Sequence, residues 1–225
     1  MNNASIKKEV FSMIILIGSQ KGGCGKSTIA VNVASFLASK KKDCILVDSD
    51  VQGTASLWSL DREEDKSLPK VHVIQKFENI RNALLDLKNR YEYVIVDSPG
   101  RDCRELRTGL TAADLLIIPL KCSQPDLDTV PHMKQIIDEA KDFNPKMRVK
   151  TLLTMVSTNP KISEREESQK YLDQYPEIPL LKSILSERKV FRDCMSQGKG
   201  VHEMGNSKAS EELNTLTKEI LQCLK

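Results

Sequence analysis

The chain has 225 residues, 40% of them hydrophobic and 29% charged, with a formal net charge of +3. That length suits one domain with a sizeable core, the 4% aromatic content argues against a base-stacking RNA surface, and no apolar run approaches the roughly 18 residues needed to cross a bilayer. The start has no apolar secretory core, and the six cysteines lie scattered without a C-x-x-C pair, so the expectation is a cytoplasmic protein with reduced thiols, not a disulfide frame or a zinc site.

Residues 1–12 are polar, carry Lys7 and Lys8, and are too few for a helix-turn-helix reader. They are expected to form a frayed tail before a single domain over 13–225. Met13 to Ile17 is an apolar run with the character of a strand, and the apolar residues of Ile29 to Leu37 recur at helical spacing. Between them lies Ser19-Gln20-Lys21-Gly22-Gly23-Cys24-Gly25-Lys26-Ser27-Thr28. Strand, glycine loop and helix in that order make a phosphate cradle: the glycines let successive N–H groups turn inward at the positive end of the helix. Lys26 is placed to reach the β- and γ-phosphates of a nucleoside triphosphate and the Ser27 hydroxyl to ligate Mg²⁺. Gln20 stands where the general G-x-x-x-x-G-K-[ST] pattern has its first glycine.

Cys44 to Val47 has the continuous apolar character of a strand covered on both faces, and it ends in Asp48-Ser49-Asp50-Val51-Gln52-Gly53. Carboxylates at the carboxyl end of a parallel strand fall beside the phosphate loop. Residues 61–70 read as a charged surface connection, Val71 to Ile74 as a strand with His72 on its face, and Glu78 to Arg90 as a helix. In the stretch Tyr93 to Gly100 hydrophobic residues end in Asp97, the Walker B pattern in which a carboxylate holds Mg²⁺ next to the loop serine. A buried strand is expected over Ala112 to Leu120, a long helix opening at Ser123, a strand over Val149 to Val156, and a polar helix from Ser163 to Tyr175. The loop Ser157-Thr158-Asn159-Pro160 is expected near a bound adenine by position. The alternation without repeats predicts an α/β fold, a doubly wound and mostly parallel sheet flanked by helices.

Lys21, in Q-K-G-G-C-G-K-S, resembles the signature lysine of the deviant Walker A loop of the ParA/MinD family of P-loop ATPases, and D-x-D-x-Q-G resembles that family's switch I, with Val51 in place of its proline. Motif order extends the resemblance over roughly residues 13 to 205. It implies ATP and Mg²⁺ as cofactors, with Lys21, Gly22, Gly23, Cys24, Gly25, Lys26, Ser27 and Thr28 at the nucleotide and Ser27, Asp50 and Asp97 at the metal. It also implies that Asp50 orients the attacking water and that Lys21 reaches across an ATP-dependent homodimer to the other subunit's nucleotide. Ser98 to Thr108 is similar to switch II, where Arg101, Arg104 and Arg107 serve either a relay or a solvated face.

Between Lys182 and Lys208 there are three more basic than acidic residues, as large an excess as that of the whole chain. A local basic surface attracts phosphate backbones without sequence preference. Leu185 to Arg192 resembles the region where ParA proteins carry arginines for non-specific DNA, so Arg188, Lys189, Arg192, Lys199 and Lys208 are the candidate DNA contacts. The helix from Ser210 to Leu224 places Leu213, Leu216, Ile220 and Leu224 on one face but carries Glu211, Glu212 and Glu219 and no aromatic residue. It therefore reads as packing on the domain and not as a membrane anchor. The resemblance implies a ParA-type DNA-partitioning ATPase, nucleoid-associated and stimulated by a ParB-like centromere-binding partner. Two alternatives remain at this point: a MinD-like or other cargo-positioning ATPase acting on a membrane or a protein assembly, and a nitrogenase-reductase-like protein using Cys103 and Cys122.

Overall fold

The computed structural model describes residues 12–159 and 161–224. Of the tail expected at 1–12, residues 1–11 lie outside the described residues, as do Pro160 and Lys225. Seven strands run β1 (Met13–Ile17), β2 (Cys44–Asp48), β3 (His72–Gln75), β4 (Tyr93–Asp97), β5 (Leu115–Lys121), β6 (Arg148–Val156) and β7 (Leu180–Ser186). The helices are α1 (Lys26–Ser39), α2 (Thr54–Glu64), α3 (Arg81–Lys88), α4 (Arg104–Leu110), α5 (Gln124–Leu127), α6 (Val130–Lys141), α7 (Glu164–Leu172), α8 (Val190–Asp193) and α9 (Ser207–Cys223). The strands form one sheet in the order β3-β2-β4-β1-β5-β6-β7, with every neighbouring pair parallel. The doubly wound parallel sheet expected from the alternation is the fold observed.

The central strands are apolar throughout because both of their faces are covered. Ile14 and Leu16 join the cluster under α3, α4 and α6, while Ile15 and Ile17 join the cluster under α1, α2 and α9, the period of two that a strand imposes. From β1 the chain runs to one edge of the sheet, and from β4 it crosses to the other. The loops after β1, β2 and β4 therefore meet at the carboxyl ends of adjacent strands, where ligands bind in such sheets.

Several boundaries differ from the sequence reading for definite reasons. The long helix expected from Ser123 is two helices, because Pro131 in the first turn of α6 has no N–H to continue α5. The Thr129 hydroxyl donates instead to the Asp126 carbonyl at 2.7 Å. Asp61 to Glu64, read as connection, complete α2, and Arg62 turns inward. The terminal helix starts at Ser207, three residues early, since the Asn206 side chain accepts from the Ala209 amide at 3.0 Å and caps it. β7 and α2 had no assignment. β7 is an edge strand, and α9 covers it: Glu219 accepts from the amides of Lys182 and Ser183, both at 2.8 Å, and Glu212 from that of Ser186 at 3.0 Å.

α2 is locked to the segment 198–203. Buried Arg62 makes a two-pronged pair with Glu203, both bonds 2.8 Å, and donates to the Gly198 carbonyl at 2.9 Å, while Trp58 Nε1 donates to Lys199 O at 3.1 Å. Gly198 lies so close that a Cβ there would stand 2.1 Å from the Arg62 amide nitrogen. Gly198 and Gly205 both adopt left-handed backbone, φ +61 and +72, but nothing lies within 4 Å of a Cβ at Gly205. Gly205→Ala should therefore cost only about 1 kcal/mol of backbone strain. Gly198→Ala should cost several times that, or about 3 kcal/mol and more, in urea unfolding. Equal losses would show that the close approach contributes nothing.

Candidate nucleotide site

The loop between β1 and α1 is shaped by Gly23 and Gly25, at φ +73 and +92, values an L side chain adopts only with strain. Gly25 is the N-cap of α1, and the helix start has neither a capping side chain nor an acidic residue in its first turn. Its free amides and positive dipole end face the loop, the condition for binding an anion. Cys24 is fully buried, its carbonyl held by the Thr154 hydroxyl of β6 at 2.9 Å. Lys26 is only 7% exposed and folds back over the loop, donating to the Lys21 carbonyl at 2.8 Å and to Ser19 Oγ at 3.3 Å.

Asp97 closes β4 beside Ser27 and Lys26. Both of its carboxylate oxygens are buried without a hydrogen-bond partner. Burial above all pushes its pKa up to about 7; Asp48 and Asp50 add repulsion, while Ser27 and Lys26 pull it back. A divalent cation would supply the missing partner, so the residues present fit Mg²⁺ held by Asp97 with the Ser27 hydroxyl.

The stretch after β2 is built on Asp48, which is fully buried. It accepts the Asp50 amide at 3.2 Å, the Ser56 amide at 2.9 Å and the Ser56 hydroxyl at 2.8 Å, tying the loop to the start of α2. Asp50 is half-exposed. Its side chain accepts from the Gln52 amide at 3.0 Å and its carbonyl from Gly53 N at 2.9 Å. These two bonds close the turn that a proline at position 51 would otherwise stiffen; Val51 itself is 63% exposed. The loop after β4 crosses the phosphate loop at Gly100, where a Cβ would come within 2.8 Å of the Gly22 backbone and of Lys26 Nζ. Arg104 pairs with Glu78, and Arg107 with Asp102 and Glu139, all on the surface.

Lys21 is held within its own chain: its ammonium lies 3.2 Å from Asp126, whose side chain is 3% exposed. A small apolar cleft opens from Gly25 and is lined by Thr28, Ile29, Met155, Leu185 and Phe191. Met155 takes left-handed backbone there, φ +51. Residues 157–159 of the loop expected near the adenine do not line this cleft; Ser157 and Asn159 border a separate one with Cys122.

The basic residues divide. Arg188 lines the cleft and donates twice to Glu212, at 2.7 and 3.1 Å, which removes it from the open surface. Lys189 and Arg192 project outward, 77% and 71% exposed, each beside one carboxylate, Asp193 and Glu187. Lys208 is exposed at the start of α9 and Lys199 half-buried. Cys103 and Cys122 are half-buried, and burial raises both thiols, the reverse of what a cluster ligand needs. Sequence reasoning missed Asp48, Gly100, Asp126 and Thr154. The first stands in the same D-x-D as Asp50, but only strand register shows that it points inward.

Parallel sheet, uncapped phosphate loop and facing carboxylates define a P-loop nucleotide-binding protein. Residues 15–201 match the CobQ/CobB/MinD/ParA nucleotide-binding domain, and the chain belongs to that family. It is 27% identical over 213 residues to the maintenance of carboxysome distribution protein A of Halothiobacillus neapolitanus, covering 92% of this chain and 95% of that protein. It is also 27% identical over 230 residues to the chromosome partitioning protein ParA of Myxococcus xanthus, covering 84% and 80%. Among solved structures, the septum site-determining protein MinD of Pyrococcus horikoshii, complexed with Mg-ADP, superimposes with a TM-score of 0.73 at 17% identity, covering 93% of this chain and 96% of that one.

The raised Asp97 pKa has a definite sign. The folded state binds this proton more tightly than the unfolded one, so the stabilisation is full below about pH 4 and lost as pH rises toward 7. Asp97→Asn should stabilise the Mg-free, nucleotide-free protein by about 2–4 kcal/mol at pH 8 and by nothing at pH 4. Urea melts of both proteins across that range check it, and a constant difference would refute it.

Proposed function

We propose that the chain is a Mg²⁺-dependent ATPase of the DNA-partitioning kind. The observation that carries the reading is the pairing of an uncapped helix N-terminus holding Lys26 with a buried, partnerless Asp97 carboxylate across from Ser27: one half wants a phosphate and the other a cation. Residues Lys21 to Thr28 cradle the phosphates, and the apolar cleft beside Gly25 takes the base. Mg²⁺, when bound, neutralises phosphate charge between Ser27 and Asp97. Asp50, held by Asp48 and by its own turn, orients the attacking water and completes the metal set.

Lys21 leaves Asp126 to meet the nucleotide of a second copy, so ATP joins two subunits. The joined form binds non-specific duplex DNA through Lys189, Arg192, Lys199 and Lys208, whose charges face phosphates without reading bases; Arg188 stays with Glu212. Hydrolysis stimulated by a ParB-like partner releases it, which makes the protein nucleoid-associated in its ATP form. Similarity to the Myxococcus partitioning protein supports a DNA cargo. A second reading, a positioning ATPase whose cargo is a protein assembly, is supported by the similarity along 92% of the chain to the carboxysome distribution protein.

Lys26→Ala should weaken ATP binding about 100-fold or more, since it removes a charged bond to the phosphates. Asp50→Ala should bind ATP within a few-fold of the native protein yet lose turnover; retained turnover would remove Asp50 from its role. Binding to random-sequence duplex should require ATP, weaken steeply as salt rises, and fall by about tenfold or more in Lys189→Ala with Arg192→Ala. No binding in any nucleotide state would leave the ATPase and move the cargo to a protein assembly.

A further inference from the structure

β5 ends on Lys121, a residue that no motif singles out. Its ammonium stands over the phosphate loop: a Cβ built on Gly23 would lie 3.7 Å from Lys121 Nζ. The left-handed backbone of Gly23, φ +73, turns that face of the loop toward the lysine.

The fold fixes this approach. β5 pairs with β1 over Leu115 to Ile117 and with β6 along its whole length. The buried Thr154 hydroxyl lies 2.9 Å from the Cys24 carbonyl and 3.2 Å from that of Leu120. One side chain of β6 therefore holds both the phosphate loop and the residue before Lys121.

Three ammonium groups meet at this loop, and two have partners. Lys26 rests on the Lys21 carbonyl and Lys21 on Asp126. Asp126 is already engaged: Oδ2 takes Lys21 and the Ser123 hydroxyl, and Oδ1 takes the Lys121 amide at 3.2 Å. Among the described residues no carboxylate pairs with the Lys121 ammonium. Like charges gathered at one loop repel one another until an anion arrives between them.

We propose that Lys121 is a third phosphate-contacting lysine of the site, acting on the nucleotide bound by its own subunit and approaching the phosphates from the β5 side. The proposal rests on the ATPase reading above. The three lysines then differ in what they serve, with Lys26 and Lys121 on the subunit's own nucleotide and Lys21 kept in reserve on Asp126.

The test is calorimetric titration of the full chain with Mg-ATP, alongside thermal unfolding without nucleotide. Lys121→Ala and Lys121→Gln should each weaken ATP about 10- to 100-fold, the range for a lost charged hydrogen bond. Lys121→Arg should stay within about threefold, because it keeps the charge. The Tm of nucleotide-free Lys121→Ala should be unchanged or higher, since the ammonium has no partner to lose. An ATP affinity within threefold of the native chain in Lys121→Ala, with binding lost in Lys26→Ala, would overturn the proposal and leave the ATPase standing. A lowered Tm without nucleotide, or an equal affinity loss in Lys121→Arg, would assign the effect to folding and overturn it too. Absence of ATP binding in the native chain would remove both.

Discussion

Asp97 sits buried at the end of β4 with neither oxygen in a well-formed hydrogen bond, and burying an ionised carboxylate without a partner is among the costliest placements a fold can hold. The structure tolerates it because the strand ends around it are otherwise satisfied. Ser49 donates amide and hydroxyl to the Asp97 carbonyl at 2.9 and 2.7 Å, and Asp48 is supplied by three donors. Two carboxylates at equivalent positions of adjacent strands are thus treated in opposite ways. One is hydrogen-bonded by the loop and helix that follow it, and the other is left for something that arrives. A group that is unstable alone and stable when occupied links the fold's stability to what the site holds.

The sequence carries the central part of this arrangement openly. Glycine spacing, Lys26, Ser27 and the apolar runs ending at Asp48 and Asp97 suffice to place strand, loop and helix, because each follows from local backbone rules. What stays hidden depends on register and long-range packing. Asp126 lies about a hundred residues from Lys21, and no pattern in Ser123 to Asp128 says that one of its two aspartates is buried. Thr154 sits mid-strand and reads as an ordinary β residue. α2 was missed because its inward residues, Ala55, Trp58 and Arg62, include a charged one, and charge in sequence reads as surface.

The basic stretch from Lys182 shows the limit of counting charges. Arg188 has the company of a DNA-binding arginine in the sequence, yet its guanidinium is held by Glu212 from a helix that begins nineteen residues later. Glu212 and Glu219, which by composition only make α9 unlike a membrane helix, are bound to backbone amides of β7. Net charge over a segment therefore bounds the electrostatic character of the surface but does not assign its contacts.

Those two glutamates bear on how the molecule behaves in a crowd. A parallel sheet ends in two strands whose outward amides invite a neighbouring chain to add another. On the β7 side three such amides already donate to carboxylates that a foreign strand would have to displace. The opposite side offers only the four residues of β3, too short a template to hold a stranger by backbone bonds alone. Runaway strand-to-strand stacking is thereby discouraged at both ends of the sheet, and copies of this chain are free to meet through the loops at the carboxyl ends of its strands without fusing along their edges.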